Sequence, residues 1–202
     1  MPSARLATVL TRIAVLGGAA AVVALGVATA APPVRAVDRL DLSRYAGTWY
    51  ELAHLPNSAQ ARCVADATAT YRPLDDGSLK LIRRCREPDE RWGVAVGRAI
   101  ASDVPGAMRV NYLPDWLAWW PSAHDDHWVV LLDDDYRYAV VSDPARKTLW
   151  ILSRTPELHA PTYRDIVERL RTLKYPVDRL VTVPQHAGPR LPSLAMRPAL
   201  VV

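Results

Sequence analysis

The chain has 202 residues, half of them hydrophobic, enough for one domain of ordinary size with a sizeable core. Its formal net charge of +4 and pI near 9.3 invite a nucleic-acid partner, yet five of the 25 basic side chains (Arg5, Arg12, Arg35, Arg190 and Arg197) fall in residues 1–36 and 187–202, where there is no acid. The other 20 face all 21 acidic residues, and a neutral body lacks the phosphate-tracking patch that non-specific nucleic-acid binding requires.

Arg5 and Arg12 precede an apolar run over 13–27 that ends in Ala28-Thr29-Ala30, a small-x-small cleavage pattern, so residues 1–30 read as a signal peptide. A bare membrane anchor is the competing reading, but a run of about 15 residues is short for a bilayer that needs about 20. No cysteine lies near the cleavage point to take a lipid. Export to an oxidising compartment makes one disulfide of the two cysteines, Cys63 and Cys85. A reactive thiol would want a neighbouring base, and Ala61-Arg62-Cys63-Val64 offers only an arginine.

After a proline-flecked linker over 31–37, runs of period two recur at spacings of about ten residues, the all-β pattern. Eight strands are predicted, at 48–54, 64–71, 78–85, 92–100, 107–113, 127–132, 136–142 and 148–154. Tight turns at 73–77, 103–106 and 133–135 alternate with longer loops at 55–63, 86–91, 114–126 and 143–147. In an up-and-down meander the tight turns share one end and the long loops the other. Eight antiparallel strands therefore predict a barrel closed at one end and open at the other, with room for side chains or one small ligand. Cys63 and Cys85 both fall at the open end on adjacent strands, slightly out of register, which a β-bulge would repair.

A helix follows, with Pro161 at its start, a stripe of Tyr163, Ile166, Val167, Leu170 and Leu173, and a stop at Tyr175-Pro176. It is expected against the outer wall of the barrel. Residues 177–183 read as one further edge strand, and 187–202, with proline and no acid, as a disordered tail, leaving a single domain over 38–186.

The opening stretch Leu42-Ser43-Arg44-Tyr45-Ala46-Gly47-Thr48-Trp49-Tyr50-Glu51 resembles the Gly-x-Trp signature of lipocalins. The likeness continues at Asp135-Tyr136 and at Leu152-Ser153-Arg154-Thr155-Pro156, and covers roughly residues 38–186. Gly47-Thr48-Trp49-Tyr50-Glu51-Leu52-Ala53, Ala69-Thr70-Tyr71 and Asp76-Gly77 are most similar to bacterial lipocalins related to apolipoprotein D. The chain departs from them in lacking the anchoring cysteine some carry after the signal peptide, and in having Arg83 where asparagine is frequent. The resemblance implies that Trp49 and Arg154 meet at the closed end, a structural contact with no chemistry assigned, next to Gly47.

With Trp49 inward, alternation puts Glu51, Ala53 and Leu55 on the inner face. Extended to the other strands by similarity to the family, it turns inward Ala67, Ala69 and Tyr71; Leu79, Leu81 and Arg83; Ala95, Gly97 and Ala99; Met108, Val110 and Tyr112; and Trp128, Val130 and Leu132. The wall is mostly apolar, and its small residues leave space for a ligand. Glu51 and Arg83 are the charged exceptions: they either pair with each other or leave Arg83, near the mouth, to meet an anionic head group.

Asp115-Trp116-Leu117-Ala118-Trp119-Trp120-Pro121 sets three tryptophans in the loop before the sixth strand, as rim packing, a lid over the ligand, or an anchor at a membrane surface. His124-Asp125-Asp126-His127 is no metal site, because it runs from a loop into a strand whose alternation sends the two histidines to opposite faces. Asp133-Asp134-Asp135 lacks the glycine and glutamate of a calcium loop. No nucleophile elbow, zinc-protease motif or phosphate loop is present. The expectation is an exported, cofactor-free, non-enzymatic lipocalin, periplasmic or secreted, that binds a fatty acid, lysophospholipid or other lipid. An enzyme on a lipophilic substrate and a membrane-docking protein are the alternatives.

Overall fold

The computed structural model describes residues 31–113 and 124–186, apart from the side chain of Ala59. The leader at 1–30, the tail at 187–202 and the tryptophan loop with Trp116, Trp119 and Trp120 lie outside the described residues. Strands β1 (Gly47–His54), β2 (Ala65–Pro73), β3 (Leu79–Arg86), β4 (Trp92–Ala101), β5 (Ala107–Asn111), β6 (His124–Leu132), β7 (Tyr138–Ser142) and β8 (Leu149–Ser153) pair antiparallel in sequence order. Strand β1 pairs with both β2 and β8, which closes the sheet into a barrel.

Helix α2 (Ala160–Thr172) starts at a proline in its first turn and buries Ile166 and Leu170. That face packs on the outside of β6, β7, β8 and β1, against Val130, Leu131, Val140, Leu149 and Ile151. Strand β9 (Val181–Thr182) follows a 3-10 turn and pairs with Ala53 and His54 on β1. Most strand ends lie within two residues of the sequence expectation, and two starts are informative. Strand β6 begins at His124 instead of residue 127, and β7 begins at Tyr138 because Tyr136 has φ +59°, a turn conformation.

A short helix absent from the sequence reading, α1 (Leu42–Tyr45), caps the closed end, and the Asp41 carboxylate accepts from the amides of Ser43 and Arg44 at its start. It delivers Tyr45 onto Trp49 and Tyr71, with ring centroids 5.1 and 5.0 Å apart. Over the Trp49 indole lies the Arg154 guanidinium, 3.8 Å from the ring centroid. Arg154 donates to the carbonyls of Arg44, Tyr45, Thr48 and Tyr136, and so ties α1, β1, the β6–β7 turn and the end of β8 together. Gly47 has φ +98°, and a Cβ there would lie 3.1 Å from Arg154 Nη1.

Gly47→Ala therefore combines a disfavoured backbone with a displaced guanidinium. It is expected to cost about 1–3 kcal/mol of folding free energy, read by urea denaturation. A variant as stable as wild type would show that Arg154 relaxes freely.

Candidate functional site

The barrel interior divides in two. Its closed half is packed solid by Tyr45, Trp49, Tyr71, Leu79, Leu81, Met108 and Val110. Its open half holds a cavity of about 560 Å³, walled by Ala67, Ala95, Tyr112, Trp150 and the Cys63–Cys85 disulfide. The disulfide spans 5.4 Å between Cα atoms, and the bulge expected to accommodate it falls between Ala65 and Thr68, with Asp66 at φ +51°.

Only some of the residues expected to face a ligand reach this space. Glu51, Ala67, Arg83 and Tyr112 line it. Ala69, Leu81 and Val110 face inward but belong to the packed half. Ala53, Leu55, Trp128 and Val130 do not face the interior: they pack in the layer between barrel and α2. The cause on β1 is a bulge between Glu51 and Ala53, which resets the alternation, sends Ala53 and Leu55 outward and turns His54 in beside Glu51. On β6, His127 lies opposite the inward Met108, so Trp128 faces out, and a second bulge between Val129 and Leu131 keeps Val130 and Leu131 together in the helix layer. His124 lies opposite Asn111, on the outer face, so the two histidines of that motif point apart. The space above Gly97 is used as well, since a Cβ there would meet the Tyr112 ring at 2.8 Å.

The cavity floor is a polar network. Arg83 Nη2 donates to Glu51 Oε2 at 3.1 Å, His54 Nδ1 to Glu51 Oε1 at 2.8 Å, and the Gln60 amide nitrogen to both carboxylate oxygens. Gln60 Oε1 in turn accepts from the Trp150 indole at 2.7 Å. Gln60, buried and missed by the sequence reading, arrives on a 3-10 turn (Ser58–Gln60) whose start is capped by the Asn57 side chain. The Asn57-x-x-Gln60 spacing was the one available signal. Burial opposes the Arg83 charge, but Glu51 and the Tyr112 phenol outweigh it and hold the guanidinium above its ordinary range. His127 stacks on Trp150 with centroids 5.3 Å apart, and burial, helped by Arg83, pushes its pKa down to about 3. The floor thus holds a compensated ion pair and a neutral imidazole. Among the described residues no group of three metal-ligating side chains comes together.

A lipocalin-like domain model matches residues 40–185. The chain is 33% identical over 157 residues to temperature-induced lipocalin-1 of Arabidopsis thaliana, covering 76% of this chain and 83% of the plant protein. It is 32% identical over 180 residues to the outer membrane lipoprotein Blc of Citrobacter freundii, covering 88% and 97%. Among solved structures, insecticyanin from the tobacco hornworm Manduca sexta superposes with a TM-score of 0.62 at 19% identity, over 78% of this chain and 87% of that one.

Two outcomes follow for the site. A His127 that stays neutral when folded but protonates near 6.5 when unfolded contributes stability that is present above pH 6.5 and lost as pH falls toward 3. Between pH 7 and 5 its share is about 2 kcal/mol, so His127→Phe should flatten that part of the urea-measured stability profile; an unchanged slope would contradict the buried neutral imidazole. Separately, Cys63→Ser with Cys85→Ser, which opens a loop of 22 residues' separation, is expected to cost about 3 kcal/mol, read by the same method.

Proposed function

The chain belongs to the lipocalin family, and on that premise we propose that it is an exported binding protein that takes up a hydrophobic or amphiphilic small molecule, a fatty acid, lysophospholipid or related lipid, in the open half of its barrel. The observation that carries this reading is the cavity itself, about 560 Å³ with a walled-off floor. A closed half filled by aromatic packing makes it a pocket rather than a channel. Its apolar sides are Trp150, Ala67, Ala95 and the disulfide, which suit a hydrocarbon chain. The relatives named as outer membrane lipoproteins, together with the leader pattern at 1–30, support a location in the cell envelope.

Arg83 stands on the floor of the pocket, and its charge is shared with Glu51. A head group there is received through the guanidinium donors that the single bond to Glu51 leaves over, rather than by net positive charge. Uncharged polar heads are then accepted alongside anionic ones. The role is binding and not catalysis, since the buried charges are spent on one another.

Delipidated protein titrated with palmitate, monopalmitin and palmitoyl lysophosphatidylcholine should show saturable quenching of tryptophan emission with each. Ala95→Trp, which places an indole in the cavity, should weaken all three by about tenfold or more, and Arg83→Ala should weaken them by a smaller factor. Full affinity in Ala95→Trp would remove the cavity from the binding site.

A further inference from the structure

An antiparallel sheet with one face packed and one in water normally alternates apolar inside with polar outside, and the outer face of β3 and β4 departs from that rule. The register sets Arg86 opposite Trp92, Arg84 opposite Val94, Ile82 opposite Val96 and Lys80 opposite Arg98, all pointing away from the barrel. On the flanks, Arg72 lies beside Lys80 on β2, and Arg109 beside Ile100 on β5. Val94, Val96 and Ile100 are 58%, 50% and 43% exposed. Trp92 lies under Arg84 and Arg86, at 5.1 and 4.4 Å from its ring centroid.

We propose that this face docks on an anionic lipid surface, with Trp92, Val94, Val96 and Ile100 entering the interface and Arg72, Lys80, Arg84 and Arg109 meeting the head groups. Two features favour lipid over a protein partner. Cations and apolar side chains are interspersed within and between the rows instead of forming an apolar centre with a polar rim, which suits repeating negative charge above a hydrocarbon layer. Arg72, Lys80 and Arg84 also form no ion pair with a carboxylate among the described residues, unlike Arg98, paired with Asp76, and Arg86, paired with Asp66, while Arg109 has Asp126 opposite it on β6. Long arginine and lysine stems can lie along the valines while their heads stay in water. The face borders the cavity: Val94 lines both, and among the described residues positions 92–97 of β4 are paired on the β3 side alone. A lipid surface held here lies beside the pocket.

Co-sedimentation of the mature protein with phosphatidylglycerol–phosphatidylcholine vesicles and with pure phosphatidylcholine vesicles tests this. Binding to the anionic vesicles should be about tenfold tighter and should weaken with added salt. Val94→Asp with Val96→Asp should lower it about tenfold without changing Tm, and Lys80→Glu with Arg84→Glu should abolish the preference for phosphatidylglycerol. Ala95→Trp, which blocks the cavity, should leave vesicle binding intact, so failure of the pocket reading and of this one are separable. Equal binding to both vesicle types would overturn the proposal. So would vesicle binding that survives the Val94/Val96 pair but is lost when Trp116, Trp119 and Trp120 become serine, which would place docking at that loop. A change confined to oligomeric state in the Val94/Val96 pair would overturn it in favour of a self-association face.

Discussion

Strand β1 has to close the barrel against two neighbours, and the bulge between Glu51 and Ala53 is where it changes allegiance. On one edge Gly47 to Tyr50 pair with β2 below it and Ala53 and His54 with β9 above it, while the other edge pairs with β8 on both sides of it, from Tyr50 to His54. The split that opens between the upper halves of β1 and β2 is mirrored by the bulge on β2, and the C-terminal segment fills it. Val183 donates its amide to Leu52 O, Asp66 donates its amide to Pro184 O, and the Gln185 amide bridges the carbonyls of Glu51 and Ala67. Val183 then packs on Ala67 and Cys85. One extra residue in a strand thus sets the cavity wall, the polar floor and the docking place of the segment after the helix.

The same bulge explains how a carboxylate is tolerated at the bottom of an apolar pocket. An ionised Glu51 taken out of water costs several kcal/mol unless it is paired and its lone pairs are met. Glu51 Oε1 and Oε2 receive His54, Gln60 and Arg83; His54 is there because the bulge turned it in, and Gln60 because the loop after β1 folds back over the barrel. Trp150 closes the ring by donating to Gln60 while its indole faces Arg83 and His127. The floor thus presents preformed polarity with little net charge.

The fold was legible in the sequence because its determinants are local and periodic. Alternation gave eight strands, turn residues separated the tight end from the open one, and two cysteines behind a leader-like segment gave the disulfide, found at Cys63–Cys85. Strict alternation was also the source of the errors. It holds on β3, where Leu81 and Arg83 do face inward, and fails past Glu51, where a bulge turns Ala53 and Leu55 into the helix layer. On β6 alternation starts on the opposite side, since the pairing with β5 turns His127 inward and leaves Trp128 and Val130 to the helix. Bulge positions depend on what the neighbouring strands require, and no single strand's residues announce them. Gln60 was hidden for a related reason: a loop glutamine reads as solvent-exposed until the barrel mouth it plugs exists.

Net charge shows the same gap between counting and placement. The acidic and basic side chains of residues 37–186 nearly cancel, yet the pleat does not distribute them evenly. Asp133, Asp134 and Asp135 gather at the tight turn between β6 and β7, where Arg137 pairs with Asp133 and Arg44 donates to the Asp134 backbone carbonyl. On the outer face of β3, Lys80, Arg84 and Arg86 follow one another at every second position but one, and the register lays Arg98 beside Lys80. A strand with period two collects on one face whatever its alternate residues are, so a neutral chain can carry a cationic wall. That wall adjoins exposed valines, and only its two ends are answered by acids, Asp66 at Arg86 and Asp76 at Arg98.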